Sequence, residues 1–185
     1  ATADQAQYAL EIADQAWFDW NQTSIIERAA CLDRTADLLE QHTAELIALC
    51  TREAGKTLQD GIDEVREAVD FCRYYAHQAR QEMALPTLLP GPTGESNEHY
   101  YAGRGTFLCI SPWNFPLAIF LGQISAALVS GNCVLAKPAE QTSLIAGRTV
   151  ELMYEAGIPN KVLHFLPGAG TTIGDALLSD ERLAG

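Results

Sequence analysis

Asn114 is the first polar side chain whose setting suggests chemistry. It stands between Pro112 and Pro116, on a segment that directly precedes a long apolar stretch. A side-chain amide held rigidly there could donate a hydrogen bond to an oxygen that becomes negative in a transition state. Alternatively, Asn114 caps the following helix or adopts a turn conformation. This segment alone favours the alternative.

A lysine and a carboxylate form the second candidate site. Lys137 follows an apolar run and precedes Pro138, and Glu140 comes near the start of the next predicted helix. At the carboxyl end of a strand, such a pair suits the two hydroxyls of a ribose, because the carboxylate accepts from both and the ammonium donates. The carboxylate would repel a 2′-phosphate and so favour NAD over NADP. Alternatively, Glu140 complements the helix dipole and pairs locally with Lys137, and the two interpretations are evenly matched.

A glycine-rich turn is the third candidate. Gly168, Gly170 and Gly174 follow a predicted strand and open a predicted helix. Their spacing, Gly-x-Gly-x-x-x-Gly, is one residue longer than the dinucleotide-binding fingerprint, so it supports a nucleotide site only weakly. No convincing nucleophile accompanies these sites, because Cys109 and Cys133 fall inside predicted strands, where a buried thiol is inert.

Composition and charge exclude several classes of protein. The net charge of -12 argues against a nucleic-acid partner, whose phosphates would be repelled. The five cysteines are widely spaced and form no Cys-x-x-Cys pair, and the histidines lack ligand spacing, so we expect reduced thiols, no metal site and a cytoplasmic location. The N-terminus does not resemble a signal peptide. The apolar stretch 115–129 is too short and too interrupted to span a bilayer.

The first half of the chain has helical periodicity. It predicts one helix over 4–20 and another over 57–83. Between them, it predicts helical structure that begins with a capping box at Ser24 and stops at Gly55. Four charged side chains of the last helix are expected to face solvent: Asp60, Glu64, Glu67 and Arg80. Residues 85–97 are rich in proline and glycine and are predicted to be a connector. Beyond the connector, 100–102 and 106–110 predict an extended arm or hairpin that enters the first core strand.

The second half alternates strands and helices. Strands are predicted over 107–110, 133–136 and 162–165, and helices over 116–130, 142–156 and 171–178. This alternation predicts an α/β fold with a doubly wound parallel sheet. In such a sheet, ligands bind beyond the carboxyl ends of the strands, so Asn114 and the Lys137/Glu140 pair can face one crevice. Another strand could begin at 183–185, where we expect truncation of the sheet.

Two motifs in this order and at this spacing resemble the aldehyde dehydrogenase superfamily. They are Pro-Trp-Asn-Phe-Pro at 112–116 and Lys-Pro-Ala-Glu at 137–140, and the glycine-rich turn follows about thirty residues later. The helical first half, with Glu-Ala-Gly-Lys-Thr at 53–57, also looks like that family. The amino-acid sequence of the two motifs is most similar to the branch that oxidises L-glutamate γ-semialdehyde (1-pyrroline-5-carboxylate) in proline catabolism. Bifunctional members of that branch also carry a flavin-dependent proline dehydrogenase.

The resemblance implies a Rossmann-like fold and specific roles for the residues. Residues 1–97 would be the N-terminal helical part and connector, and 98–185 the first part of the NAD-binding α/β domain. Asn114 would stabilise the oxyanion of the thiohemiacetal, while Lys137 and Glu140 would bind the adenosine ribose of NAD. The remaining cofactor-binding residues would be Ile110, Ser111, Pro112 and Trp113, which line the cleft, and Gly168, Gly170 and Gly174, which allow the helix to approach the nucleotide.

The chain lacks other parts of the family pattern. The nucleophilic cysteine and the general-base glutamate are expected beyond Gly185, and FAD is expected only in a proline dehydrogenase half before Ala1. We therefore expect the full-length parent to be the enzyme, a homo-oligomer without a membrane segment, and the isolated chain to be inactive. The alternatives are part of another NAD(P)-dependent aldehyde dehydrogenase, and a non-catalytic nucleotide-binding or scaffold module.

Overall fold

The first half of the chain is helical, as predicted, except that the stretch from Ser24 to Gly55 is divided into two helices at His42. A computed structural model describes all residues from Ala1 to Gly185. The first four helices are α1 (Ala3–Gln22), α2 (Ile25–Gln41), α3 (Thr43–Ala54) and α4 (Leu58–Glu82). Ser24 and Glu27 form the predicted capping box at the start of α2. Gly55 ends α3 with a φ of 67°, a left-handed conformation that favours glycine.

The second half supplies a small hairpin and an α/β unit. The hairpin strands are β1 (Thr87–Leu89) and β2 (Asn97–His99), paired antiparallel. The α/β unit consists of β3 (Thr106–Ile110), α5 (Ala118–Val129), β4 (Cys133–Lys137), α6 (Ser143–Glu155), β5 (Leu163–Phe165) and α7 (Gly170–Leu177). No helix has the length and apolar character needed to cross a membrane.

Of the two structures predicted for 100–102 and 106–110, an extended arm or a hairpin, the hairpin is wrong. Residues 100–105 form no strand, and the antiparallel pair lies earlier, within the stretch predicted to be a connector. Side-chain oxygens accept hydrogen bonds from the backbone amides that such a hairpin would use. Asn21 Oδ1 accepts from the Gly103 amide at 2.7 Å, and Asn132 Oδ1 accepts from the Arg104 amide at 2.6 Å. The segment is therefore tied to α1 and to the turn before β4.

The parallel sheet has the order β3-β4-β5, and Ile110 lies opposite Lys137 in its register. On the other side of β3, Leu183 forms a parallel bridge to Thr106. The chain thus leaves β3 in one direction and returns beside it in the other, which is the arrangement of a topological switch point. Helices α5 and α6 contact the sheet and α2, whereas α1 contacts the sheet and α7. The doubly wound α/β prediction is confirmed.

One hydrophobic core joins the two halves of the chain. It contains 41 buried residues drawn from α1 to α4, the parallel sheet and its helices. Helix α5 packs between α4 and the sheet, which explains why it is apolar nearly all round. All five residues of β4 are buried, as expected for a parallel strand that is covered on both faces.

Three glutamates from elsewhere in the chain cap the helices of the α/β unit. None of α5, α6 and α7 has a capping side chain at its own N-cap position. Instead, a carboxylate accepts from their first amides and faces the positive end of each helix dipole. The bonds run from Leu117 (3.2 Å) and Ala118 (2.9 Å) to Glu64, from Leu144 (2.9 Å) and Ile145 (2.7 Å) to Glu53, and from Gly170 (3.1 Å) to Glu140.

Candidate active site

Asn114 lies on the loop that follows the carboxyl end of β3. The strand end is held by two hydrogen bonds: the Ser111 amide donates to the Lys137 carbonyl at 3.2 Å, and Gln123 Nε2 donates to the Ile110 carbonyl at 3.2 Å. Asn114 is exposed, and it does not cap α5, because Glu64 accepts from the first amides of that helix. The capping interpretation therefore fails, and the amide is left available to a ligand.

Two charged residues that the sequence analysis did not select support the far end of this loop. The Glu64 side chain is 2% exposed, so the prediction that it faces solvent is wrong. Its Oε1 accepts from Lys56 Nζ at 2.8 Å, and its Oε2 accepts from Leu117 and Ala118. Lys56 Nζ also lies 4.4 Å from the centroid of the Phe115 ring. The only sequence signal for this arrangement was the motif Glu-Ala-Gly-Lys-Thr at 53–57, which contains Lys56.

The Lys137/Glu140 pair lies at the same edge of the sheet, beyond β4. Lys137 is buried, and its Nζ donates to the Pro138 carbonyl at 2.9 Å. Glu140 is exposed, and its Oε1 accepts from the Gly170 amide at 3.1 Å. The local Lys137–Glu140 ion pair is therefore not formed, and Glu140 caps α7 instead of its own helix. Its second carboxylate oxygen remains free for a ligand.

Of the three glycines, Gly170 comes nearest to this pair. A Cβ at Gly170 would lie 3.9 Å from Lys137 Nζ, whereas a Cβ at Gly174 would meet only Leu178, at 3.4 Å. A Cβ at Gly168 would lie 3.0 Å from the backbone of Ala1. The structure thus brings Gly170, Lys137 and Glu140 together, while Gly168 and Gly174 contact other parts of the chain.

The remaining predicted cleft residues follow β3 directly. Ile110 and Trp113 are about half exposed, Pro112 is partly buried and Ser111 is buried. The two exposed side chains give this edge of the sheet an apolar surface beside Asn114. A cleft of about 510 Å³ lies instead between α1 and β5 and contains none of the predicted site residues.

None of the five cysteines is a credible nucleophile. All five are buried and free. Burial raises the pKa of Cys109 and of Cys133 to about 12, so both thiols are protonated at neutral pH. Burial also raises the pKa of Cys31, Cys50 and Cys72. A covalent mechanism would require a thiolate that these residues do not provide.

Comparison with known proteins decides the family. The model of the aldehyde dehydrogenase family matches residues 1–185, the whole chain. The chain belongs to the aldehyde dehydrogenase family. It is 49% identical over 185 residues to the bifunctional protein PutA of Escherichia coli K12, with 100% of this chain and 13% of that protein covered.

Solved aldehyde dehydrogenase structures agree with the fold. A crystal structure of Bradyrhizobium japonicum proline utilization A is 54% identical, with a TM-score of 0.98, and the match covers 100% of this chain and 19% of that one. A 1-pyrroline-5-carboxylate dehydrogenase from Thermus with bound NAD is 37% identical, with a TM-score of 0.93, covering 99% and 36%. The chain thus spans between about an eighth and a third of these relatives.

Proposed function

We propose that this chain is part of an NAD-dependent L-glutamate γ-semialdehyde dehydrogenase that acts in proline catabolism. The observation that carries the proposal is that an unpartnered Asn114 amide and the Lys137/Glu140 pair follow the carboxyl ends of neighbouring parallel strands, at one edge of the sheet. Identity of 49% to a PutA, over the whole chain, supports this substrate class over other aldehydes. The activity belongs to the full-length protein, of which the chain supplies these groups.

In this proposal, Asn114 stabilises negative charge. Attack of a thiolate on the aldehyde carbon breaks the carbonyl π bond, and its electron pair moves onto the oxygen. A rigidly placed amide N–H that donates to that oxygen lowers the barrier by about 3–4 kcal/mol. The role fits an amide that is exposed at the end of a strand and bonded to nothing else. The hydrogen bonds at Ile110 and Ser111 fix the position of the loop.

Lys137 and Glu140 would hold NAD by its adenosine ribose. The free oxygen of Glu140 can accept from a ribose hydroxyl while the other stays on the Gly170 amide. Lys137 Nζ can donate to the same sugar, and the absent Cβ at Gly170 leaves space beside that amine. NAD, when bound, would supply the acceptor for the hydride that leaves the former aldehyde carbon after thiolate addition. Ile110 to Trp113 and the turn from Gly168 to Gly174 would complete the walls of the cleft.

We propose three further properties of the full-length protein. FAD would bind only to a separate proline dehydrogenase half. A cytoplasmic location fits five free, buried cysteines. Homo-oligomer formation fits the exposed apolar side chains near the hairpin, such as Leu88 and Tyr100.

Calorimetric titration of the full-length protein with NAD and NADP tests the cofactor proposal. Glu140→Gln keeps an acceptor for the Gly170 amide but removes the negative charge. We expect it to weaken NAD binding and to reduce the preference for NAD over NADP by roughly tenfold, a change of about 1.4 kcal/mol. Glu151→Gln, at an exposed position on α6, is the control. Unchanged cofactor preference in Glu140→Gln would remove the ribose role.

A further inference from the structure

The segment immediately after Asn114 is fastened by charges from the helical half of the chain. Glu64 has three partners: Lys56 Nζ at 2.8 Å, and the amides of Leu117 at 3.2 Å and Ala118 at 2.9 Å. With its side chain only 2% exposed, this carboxylate would be strongly destabilising if these partners were lost. The start of α5 is therefore fixed relative to α4.

Lys56 extends the same contact towards Asn114. Its side chain is 14% exposed, and the ammonium lies both on Glu64 and over the Phe115 ring, 4.4 Å from the centroid. A cation over an aromatic face is attracted to the ring, more strongly when it is shielded from water. Phe115 is the residue directly after Asn114. The series Glu64, Lys56 and Phe115 therefore ends next to the candidate oxyanion donor.

Glu53 provides a comparison within the same molecule. It accepts from Leu144 and Ile145 at the start of α6 at 2.9 and 2.7 Å, which is the same type of cap. It is only partly buried and has no lysine or arginine partner. Capping a helix of this sheet thus requires no second charge. The deeper burial of Glu64 accounts for its lysine partner, but it does not account for the contact of that lysine with the Phe115 ring.

We propose that Glu64 and Lys56 are positioning residues that hold the Asn114 loop in the geometry its transition-state hydrogen bond requires. The inference rests on the proposed function. A donor displaced by about 1 Å can cost about a hundredfold in rate, so a loop that carries such a donor benefits from support on both sides. Gln123 and the Ser111 amide support one side, and Glu64 and Lys56 support the other.

Steady-state kinetics of the full-length dehydrogenase test this role. We expect Lys56→Met and Glu64→Gln to lower kcat by roughly 10- to 100-fold, with little change in the affinity for NAD. Lys56→Arg should recover most of the loss, because a guanidinium can also pair with a carboxylate and stack on a ring. Glu53→Gln, the matched control at the other capped helix, should retain kcat.

A double-mutant cycle separates positioning from general support of the fold. In an Asn114→Ala background, adding Lys56→Met should cause no further loss of kcat, since the donor it positions is gone. An equal further loss there, or an unchanged kcat for Lys56→Met alone, would overturn the inference. If wild-type protein oxidises no aldehyde, the proposed function itself fails and the inference fails with it. If wild type is active and Lys56→Met has the same kcat, only the inference is overturned, and the proposed function is not.

Hydrogen exchange in the 185-residue chain gives a readout that does not depend on activity. Lys56→Met should speed exchange of the Leu117 and Ala118 amides, while those of Leu144 and Ile145, bonded to Glu53, stay protected. Unaltered protection at Leu117 and Ala118 would show that Lys56 does not hold the loop.

Discussion

At the edge of the sheet, one neutral amide stands among charges that already have partners. Lys137 donates to a backbone carbonyl, Glu140 accepts from Gly170 and Glu64 is fully bonded, whereas Asn114 has no partner within the chain. The sequence alone favoured a cap or a turn conformation for Asn114. The cap was wrong because it comes from Glu64, which lies 53 positions before Leu117.

Cysteine reactivity tests the claim that this chain carries no nucleophile. At about pH 8, a buried thiol with a raised pKa is almost entirely protonated and out of reach of reagents. We therefore expect slow labelling of Cys109 and Cys133 by iodoacetamide in the native chain, and rapid labelling of all five cysteines in guanidinium. Mass spectrometry of labelled peptides provides the measurement. One cysteine that reacts within seconds in the folded chain would contradict the assignment.

The isolated chain should also fail to oxidise glutamate semialdehyde. Without an activated thiolate, covalent aldehyde oxidation cannot begin. The assay measures NAD reduction by the purified chain. The full-length enzyme is the positive control, and the Asn114→Ala variant of the chain is the blank. Turnover above that blank would mean that the chain contains a nucleophile after all.

The elements are joined by long-range caps that local sequence patterns do not reveal. Helix boundaries in the first half were predictable, because residues such as Ser24 and Glu27 cap their own helix. The caps of α5 and α6 were not, because Glu64 and Glu53 come from the other half of the chain. By periodicity Glu64 falls on a polar face of α4, and only the packing of α5 shows that this position is buried.

Unfolding experiments distinguish the two helix caps that the helical half supplies, Glu53 and Glu64. Glu53→Ala should cost about 1 kcal/mol, the usual value of a lost N-cap. Glu64→Ala should cost about 3 kcal/mol or more, because it also leaves Lys56 without its partner in a largely buried site. Urea denaturation followed by circular dichroism measures both. Equal losses would mean that the Lys56 contact adds nothing to stability.

Arg28 joins α1, α2 and α5 and offers a second test at this scale. Its buried guanidinium donates to carbonyls at the ends of α1 and α5, including Val129 at 3.0 Å and Trp20 at 3.1 Å. Arg28→Ala should therefore cost roughly 2–4 kcal/mol, since several carbonyls lose a charged donor. Arg52→Ala, at an exposed position on α3, is the control. Denaturation midpoints that match for the two variants would contradict this role.

Across the whole molecule, the sheet and the helical layer share one core. The alternation of strands and helices predicted the α/β unit, and apolar patterns predicted that α5 and β4 are buried. The position of the hairpin was not predictable, because Asn21 and Asn132 occupy the amides of 103–105 through contacts distant in sequence. The division at 97/98 that the family resemblance implies stays a prediction, and residues on both sides of it contribute to one core.

Separate expression of 1–97 and 98–185 tests this shared core. Because each half exposes apolar surface that the other covers, we expect neither half to unfold cooperatively alone. Mixing the two should restore near-ultraviolet circular dichroism. A cooperative transition for 98–185 alone would identify it as an independent domain.

Kinetics of Asn114→Ala in the full-length protein test the proposed function most directly. With L-glutamate γ-semialdehyde as substrate, kcat should fall by about 10²- to 10³-fold, because the alkoxide loses its donor. The dissociation constant for NAD should stay unchanged, since Lys137 and Glu140 are intact, and Asn97→Ala in the hairpin should behave as wild type. A kcat for Asn114→Ala equal to that of wild type would contradict the oxyanion role.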